Sequence, residues 1–257
     1  DFNPLKIVRK WKKEVWEKTN IPFYEVDAHN IIPMWGASDK LEFAAYTIRP
    51  KIAKQIDKYL VQFPKLKVQN SKVNNNTNWE KVYQFINVDT NVDVVKNIFP
   101  GANAAKNTLN NFIIYKLNFY NEKRNNPVED YQSGLSPYLH FGHISAQTIA
   151  LEIKNSKADG ESKDAFLEEL IVRRELSDNF CYYNTNYDNY DGFPIWAKKS
   201  LEEHWGDKRE FIYSLEEFEN GNTHDPLWNA AQKEMVVKGK MHGYMRMYWC
   251  KKILEWT

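Results

Sequence analysis

Ile7, Val8, Trp11, Val15 and Trp16 recur at the three- and four-residue spacing that gathers side chains on one face of a helix, which predicts an amphipathic helix over Pro4 to Thr19. Ile21-Pro22 ends that period, and the short alternating run Phe23 to Val26 predicts a strand. A helix leading into a strand is half of an α/β unit, so residues 1–35 are expected to close an open parallel sheet. Arg49 and Pro50 open a further helical stretch, Lys51 to Phe63. The Asn-rich segment Val68 to Asn78 has no apolar period and is expected to be an exposed loop. From Asn107 onward the helical period dominates, with Leu109, Phe112, Ile113, Leu117 and Tyr120 on one stripe, so the larger part of the chain is expected to be all-helical.

Composition narrows this picture. The 257 residues are 42% hydrophobic, enough for a substantial core. Lys plus Arg number 35 and Asp plus Glu 34, so any nucleic-acid surface is a local patch. Nine Trp and 15 Tyr are many for this length; such residues stack on bases and flavins or fill helical cores. Cys181 and Cys250 form no metal or disulfide pattern, and His140 and His143 lack further ligands nearby, so no metal is expected. The absence of a long apolar run or a signal-peptide core points to a soluble protein of the cytoplasm or nucleus. Asp1 at the start, and a helical pattern running uncapped into Trp256 and Thr257, read as cut ends. No dinucleotide-binding glycine motif, P-loop or nucleophile elbow is present, which removes the common dehydrogenase, nucleotidase and hydrolase readings.

Three segments carry candidate chemistry. In Ser133-Gly134-Leu135-Ser136-Pro137-Tyr138-Leu139, Ser136 suits an N-cap and Pro137 a first helical position; such a terminus favours a phosphate, although ordinary capping gives the same pattern. Tyr120 and Arg124, at i and i+4, share the face of the preceding helix. In Phe166 to Leu176, Glu168 or Glu169 must lie near the apolar boundary, where a carboxyl either rises in pKa and hydrogen-bonds a carbonyl or pairs with an Arg. In the third segment, Thr223-His224-Asp225-Pro226 and Gly239 mark two successive helices. On the second of these, Trp249 and Trp256 are seven residues apart, about 10 Å along one face. That spacing permits electron hopping between indoles and equally suits core packing. Arg246, amid apolar neighbours, calls for an anionic partner.

Taken together, Ser133 through Gly142, Arg173-Arg174-Glu175-Leu176-Ser177-Asp178-Asn179-Phe180 and Lys240-Met241-His242-Gly243-Tyr244-Met245-Arg246-Met247-Tyr248-Trp249 resemble class II cyclobutane pyrimidine dimer photolyases of the photolyase/cryptochrome family. The similarity extends over the chain, including Val26-Asp27-Ala28-His29-Asn30. Arg173 and Gly243 stand where class I relatives have Trp and Asn. The resemblance implies a mostly α protein: an all-helical FAD-binding photolyase domain preceded by the end of an α/β (Rossmann-like) antenna domain. Residues 1–35 would end the antenna domain, 36–100 would form the connector and first helices, and 101–257 a catalytic domain truncated at its C-terminus.

The same resemblance implies roles. Tyr120, Arg124, Ser133, Gly134, Leu135, Ser136, Arg174, Arg246 and Trp249 would hold FAD. Glu169, with Glu168 adjacent, would hydrogen-bond the pyrimidine dimer, and Arg173, Gly243 and Tyr244 would contact DNA. Trp249, Trp228 and Trp256 would relay an electron to photo-oxidised flavin, and Arg246 would support the flavin region through an acidic partner. The implied activity is that of a deoxyribodipyrimidine photolyase, a carbon-carbon lyase: light drives an electron from reduced FAD into a dimer flipped out of ultraviolet-damaged DNA. A monomer away from membranes is expected, with an antenna chromophore in the full-length protein. This fragment alone is expected to hold FAD weakly and to lack activity. The alternatives are a cryptochrome-like photoreceptor without repair and a helical DNA-binding module without FAD.

Overall fold

The computed structural model describes residues 1–64, 77–86, 89 and 91–257. Most of the expected loop Val68 to Asn78 lies outside the described residues. Helices, and no strand, make up the secondary structure of the described part. The first is α1, Lys6–Lys18. It is amphipathic as its pattern requires, yet Ile7, Trp11, Val15 and Trp16 remain exposed. Its opposite side is tied down: Lys6 pairs with Asp188 at 2.6 Å, and Arg9 Nη2 donates to the Cys181 carbonyl at 2.8 Å.

Phe23 to Val26 is extended but is not a strand. Alternation creates a strand only where another strand pairs with it, and this segment meets a single backbone bond, from Phe2 N to the Val26 carbonyl (3.0 Å). The chain then folds around Asp27. Its carboxylate accepts from the amides of His29, Asn30 and Met34 at 2.9–3.0 Å, which turns Ile31, Ile32 and Met34 into the core.

After a single helical turn, Met34–Ala37, the next helix, α2, spans Ala45–Ala53 and carries Pro50 inside it. The expected helix Lys51 to Phe63 therefore begins earlier and breaks sooner, resuming only for Ile56–Tyr59. Pro50 is the sixth of the nine residues, past the first turn, so it offers no N–H to the Tyr46 carbonyl, and the helix ends three residues further on.

Ala105, Leu109 and Phe112 of α3 (Ala102–Tyr115) share the principal core with Ile149, Ala150 and Ile153 of α5 (Ala146–Asn155), with α4 (Ser136–His140) between them in sequence. Helix α6, Gly160–Leu167, continues into a π-helical stretch, Glu168–Arg173, and then α7, Arg174–Tyr183. The wider π turn accommodates three consecutive buried residues, Leu170, Ile171 and Val172, while leaving Glu169 and Arg173 at the surface. Phe166 and these residues complete the principal core with Ile48 and Ile52 of α2.

The C-terminal pair, α8 (Pro226–Lys238) and α9 (Gly243–Glu255), packs around a separate aromatic cluster of Phe218, Trp228 and Trp256. Asp225 caps α8 through the amides of Leu227 and Trp228, and Gly239 closes it in the left-handed conformation at φ 66°, as the sequence predicts. Among the described residues no helix is long and apolar enough to cross a membrane.

Candidate functional site

Tyr120, Arg124 and Glu169 meet at the junction of the Tyr120–Lys123 turn with the π segment. Arg124 Nη1 donates to Glu169 Oε1 and to the Ala165 carbonyl, both at 3.2 Å, and its guanidinium lies 5.4 Å from the Tyr120 ring centre. Tyr120 is wedged edge-on between Phe112 and Phe166. Burial pushes its phenol pKa up, against the pull of Arg124. Glu168 faces elsewhere: Arg49 grips it through Nε at 3.1 Å and Nη2 at 2.7 Å, and Arg173 Nε lies 3.3 Å away. The Arg49 hydrogen bonds, ahead of the opposing burial, hold its carboxyl below the usual range, so Glu168 is a charged structural carboxylate and not one raised by the apolar boundary.

The Ser133–Ser136 loop begins α4, but Leu135 occupies the N-cap position and Ser136 is the first helical residue, without a capping bond. This corrects the expected cap. Ser133 Oγ instead accepts from the Leu135 amide at 3.3 Å, and Gly134 takes φ 70°. With the turn made by Ser133, the Ser136 hydroxyl is left exposed. The first bond of α4 runs from Leu139 N to the Leu135 carbonyl, Pro137 has no N–H and the Leu135 amide is taken by Ser133, so the Ser136 and Tyr138 amides are the ones left for an anion.

Gln132, immediately before this loop, joins it to the start of α9, where the Gly243 amide donates to Gln132 Oε1 at 3.3 Å. A Cβ at residue 243 would stand 2.8 Å from Gln132 Nε2, which is why glycine permits this approach. His242 Nε2 is buried without a partner beside that junction, and burial lowers the pKa values of both His242 and Lys240. A cleft of about 390 Å³ opens here, lined by Gln132, Asp130, Glu234, Lys240 and His242 among others; Ser136, Arg246 and Trp249 do not line it. Tyr244 is exposed. Arg246 is also exposed, and no ion pair reaches it among the described residues. Arg174 is turned toward Asp178, Glu175 and Asp27, with Nη1 buried and unpartnered and its pKa lowered by burial.

The tryptophans form one continuous run. Trp228 stacks on Trp249 with ring centres 5.8 Å apart and planes 8° from parallel. On its other side Trp256 lies 6.2 Å away at 60°. The Trp228 indole N–H donates to the Trp249 carbonyl (3.2 Å), and that of Trp249 to Gln232 Oε1 (2.9 Å). Trp228 and Trp256 are buried and Trp249 is half-buried, so the run opens at Trp249. Gln232 went unnoticed in the sequence, although it stands one helical turn after Trp228 and shares its face.

The Ser133 and Ser136 hydroxyls and the Ser136 and Tyr138 amides are a donor set suited to phosphate oxygens, whereas the Arg124 guanidinium is engaged by Glu169 and the Ala165 carbonyl. With the orphaned His242 nitrogen across the Gln132 junction, these residues fit the diphosphate of a flavin dinucleotide. No family model matches the chain. Among solved structures, a bacterial class III photolyase from Agrobacterium tumefaciens covers 98% of this chain and is covered over 52% of its own, with TM-score 0.62 and 18% identity. An archaeal photolyase from Sulfolobus tokodaii, solved with two FAD molecules, covers 97%, with 51% of its own chain matched, TM-score 0.60 and 19% identity. These likenesses define the fold as the helical architecture of photolyases.

The sequence comparison is more specific. A deoxyribodipyrimidine photo-lyase of Arabidopsis thaliana is 49% identical over 100% of this chain and 55% of its own length; one of Oryza sativa subsp. japonica is 47% identical over 100% and 54%. The chain belongs to the photolyase family, and it spans about half the length of the curated relatives it matches.

Proposed function

We propose that the protein is a class II cyclobutane pyrimidine dimer photolyase, repairing ultraviolet-damaged DNA in light by electron transfer from reduced FAD. The observation that carries this reading is the unbroken indole run from half-buried Trp249 through Trp228 to Trp256, in a chain 49% identical to a photo-lyase along its whole length. Arg173 and Gly243 support the class II assignment as the residues distinguishing it from class I.

When bound, the flavin supplies light absorption and the transferable electron. The chain's own groups do the rest. Ser133, Gly134, Leu135, Ser136 and Arg124 hold the diphosphate, with Tyr120 walling its side. Arg174, by contrast, supports the site from the Asp27 and Glu175 side. Glu169 presents a carboxyl to the pyrimidine carbonyl of a dimer flipped from the duplex, displacing the single Arg124 contact that now holds it. Arg173, Gly243 and Tyr244 border the DNA, whose phosphate contacts weaken as salt rises. Arg246 supports the flavin region through an acidic partner.

In the same reading, residues 1–35 end an α/β antenna domain that carries a second chromophore, 36–100 connect, and 101–257 form the catalytic helices. The protein acts as an intracellular monomer. Blue-light repair of an oligonucleotide bearing one thymine dimer, by the whole flavin-loaded protein, tests the proposal; dimer loss in light and not in darkness is expected. Light-dependent flavin reduction with no dimer loss would replace it with the cryptochrome-like reading.

A further inference from the structure

The indole run does not stop at Trp256. Against that ring lie His224, with centres 5.0 Å apart at 61°, and Tyr213, at 5.6 Å and 71°. The two are joined to each other: the Tyr213 hydroxyl and His224 Nδ1 are 2.6 Å apart. The geometry is held from several directions. The His224 amide donates to the same Tyr213 oxygen at 3.0 Å, the Tyr213 amide donates to the Trp256 carbonyl at 3.3 Å, and Phe211 stacks on the imidazole at 3.7 Å. His224 is exposed, whereas Trp256 is buried. With the phenol as donor, Nδ1 is the accepting nitrogen and Nε2 carries the imidazole proton toward solvent.

A phenol loses an electron readily only if its proton leaves too, because the phenol radical cation is a very strong acid. A base already hydrogen-bonded to the hydroxyl lets both leave together. We infer that Tyr213 and His224 form the terminus of the tryptophan relay: Tyr213 fills the hole left on Trp256 while its proton passes to His224. This rests on the relay assignment made above. The balance is closed. One-electron-oxidised Trp256 takes one electron and becomes neutral indole, Tyr213 loses that electron and its hydroxyl proton to become a neutral tyrosyl radical, and His224 Nδ1 gains the proton to become imidazolium. The oxidant at the other end is the light-excited oxidised flavin, acting through Trp249 and Trp228. Return of the electron from Trp256 is then blocked, since recombination requires the proton to come back as well.

Tyr248 is the competing phenol, packed against the same cluster. Its hydroxyl donates to Asp225, but that carboxylate also accepts the Leu227 and Trp228 amides. Burial would raise the Asp225 carboxyl, yet the Tyr248 hydroxyl and the two amides outweigh it and keep it below the usual range, which makes it a poor proton acceptor. Burial, then Asp225, pushes the Tyr248 phenol up to about 12. Tyr248 therefore serves as the internal control.

The test is electron paramagnetic resonance of the whole flavin-loaded protein, frozen after illumination without reductant. The parent protein is expected to show a neutral tyrosyl radical. Tyr213→Phe is expected to show a tryptophanyl radical in its place, with recombination faster by roughly tenfold or more. His224→Ala is expected to cut the tyrosyl yield by a similar factor and free imidazole to restore it, which a merely structural role would not do. Tyr248→Phe is expected to keep the tyrosyl signal. A tyrosyl signal undiminished in Tyr213→Phe, its loss in Tyr248→Phe while the near-ultraviolet circular-dichroism signature of the Trp228–Trp249 stack stays intact, or a tryptophanyl radical alone in the parent would overturn the inference. Trp249→Phe separates the two levels: loss of every radical supports the relay whatever Tyr213 does, and undiminished radicals there remove the relay itself.

Discussion

Glu168 and Glu169 are adjacent in sequence and differ in what their neighbours leave free. Glu168 is gripped by Arg49 at two nitrogens and approached by Arg173, so withdrawing it for a substrate would leave cations unpaired. Glu169 is 45% exposed in its side chain and is held by one ion pair, to Arg124 at 3.2 Å. An exposed single pair of that kind contributes at most about 1 kcal/mol, which a substrate contact readily replaces. Glu169→Gln in the whole protein is accordingly expected to lower the repair yield by roughly tenfold or more, the scale set by removing a group that contacts the reacting atoms, with flavin photoreduction unchanged. Glu168→Gln is expected to leave repair within about twofold and to act on stability alone. Parallel repair assays decide between them, and equal losses would discard the assignment. The sequence could not separate the two, because the answer depends on Arg49 and Arg124, which lie 119 and 45 residues away along the chain.

Between helices, Asp225 is the joint that aligns α8 with α9. One carboxylate oxygen caps α8 through Leu227 and Trp228, and the other takes the hydroxyl of Tyr248 on α9, one residue from Trp249. Asp225→Ala removes the cap, at about 1 kcal/mol, and strands a half-buried phenol, at roughly 1–3 kcal/mol. A loss of roughly 2–4 kcal/mol in urea unfolding is expected, together with a changed exciton signature from the Trp228–Trp249 stack in near-ultraviolet circular dichroism. An unchanged near-ultraviolet spectrum would show that the stack does not depend on this joint. The ends of α8 were legible in Asp225-Pro226 and Gly239 because caps and left-handed glycines are local chemistry. So was the common face of Trp249 and Trp256. That Trp228 lies between those rings was not legible, since it follows from how two helices cross. The strand expected at Phe23 to Val26 failed for the same reason: alternation is local, but pairing needs a partner elsewhere. The π segment at Glu168–Arg173 likewise reflects the packing of three consecutive apolar residues against α2 and α5, which periodicity alone does not reveal.

Across the whole molecule, Glu175 is the clasp between the first 35 residues and the helices that follow them. It is fully buried on α7, and Oε1 accepts the amides of Ile31 at 2.8 Å and Ile32 at 3.3 Å. Its second oxygen has no partner. Around it stand Arg174 and Asp178 from α7 and Asp27 from the folded-in segment, with His29 Nε2 3.2 Å from Asp178. Burial is the largest influence and raises the carboxyl from 4.5 to about 7, the two amides and Arg174 pulling back. Between those values the native chain keeps a proton that the unfolded chain has released. Native binding of the extra proton makes stability fall as pH rises, so the contribution is complete below about 4.5 and is lost as pH climbs through about 7. Glu175→Gln keeps the accepting oxygen and the volume but cannot ionise. Its stability should match the parent below pH 4.5 and exceed it above pH 7, by roughly 3 kcal/mol at most. Urea midpoints of both proteins across that interval measure the difference, in which titrations common to the two largely cancel. Curves that stay parallel through neutral pH would mean that the Glu175 carboxyl is ionised in the native protein throughout, stabilised by Arg174, and that the clasp does not respond to protons.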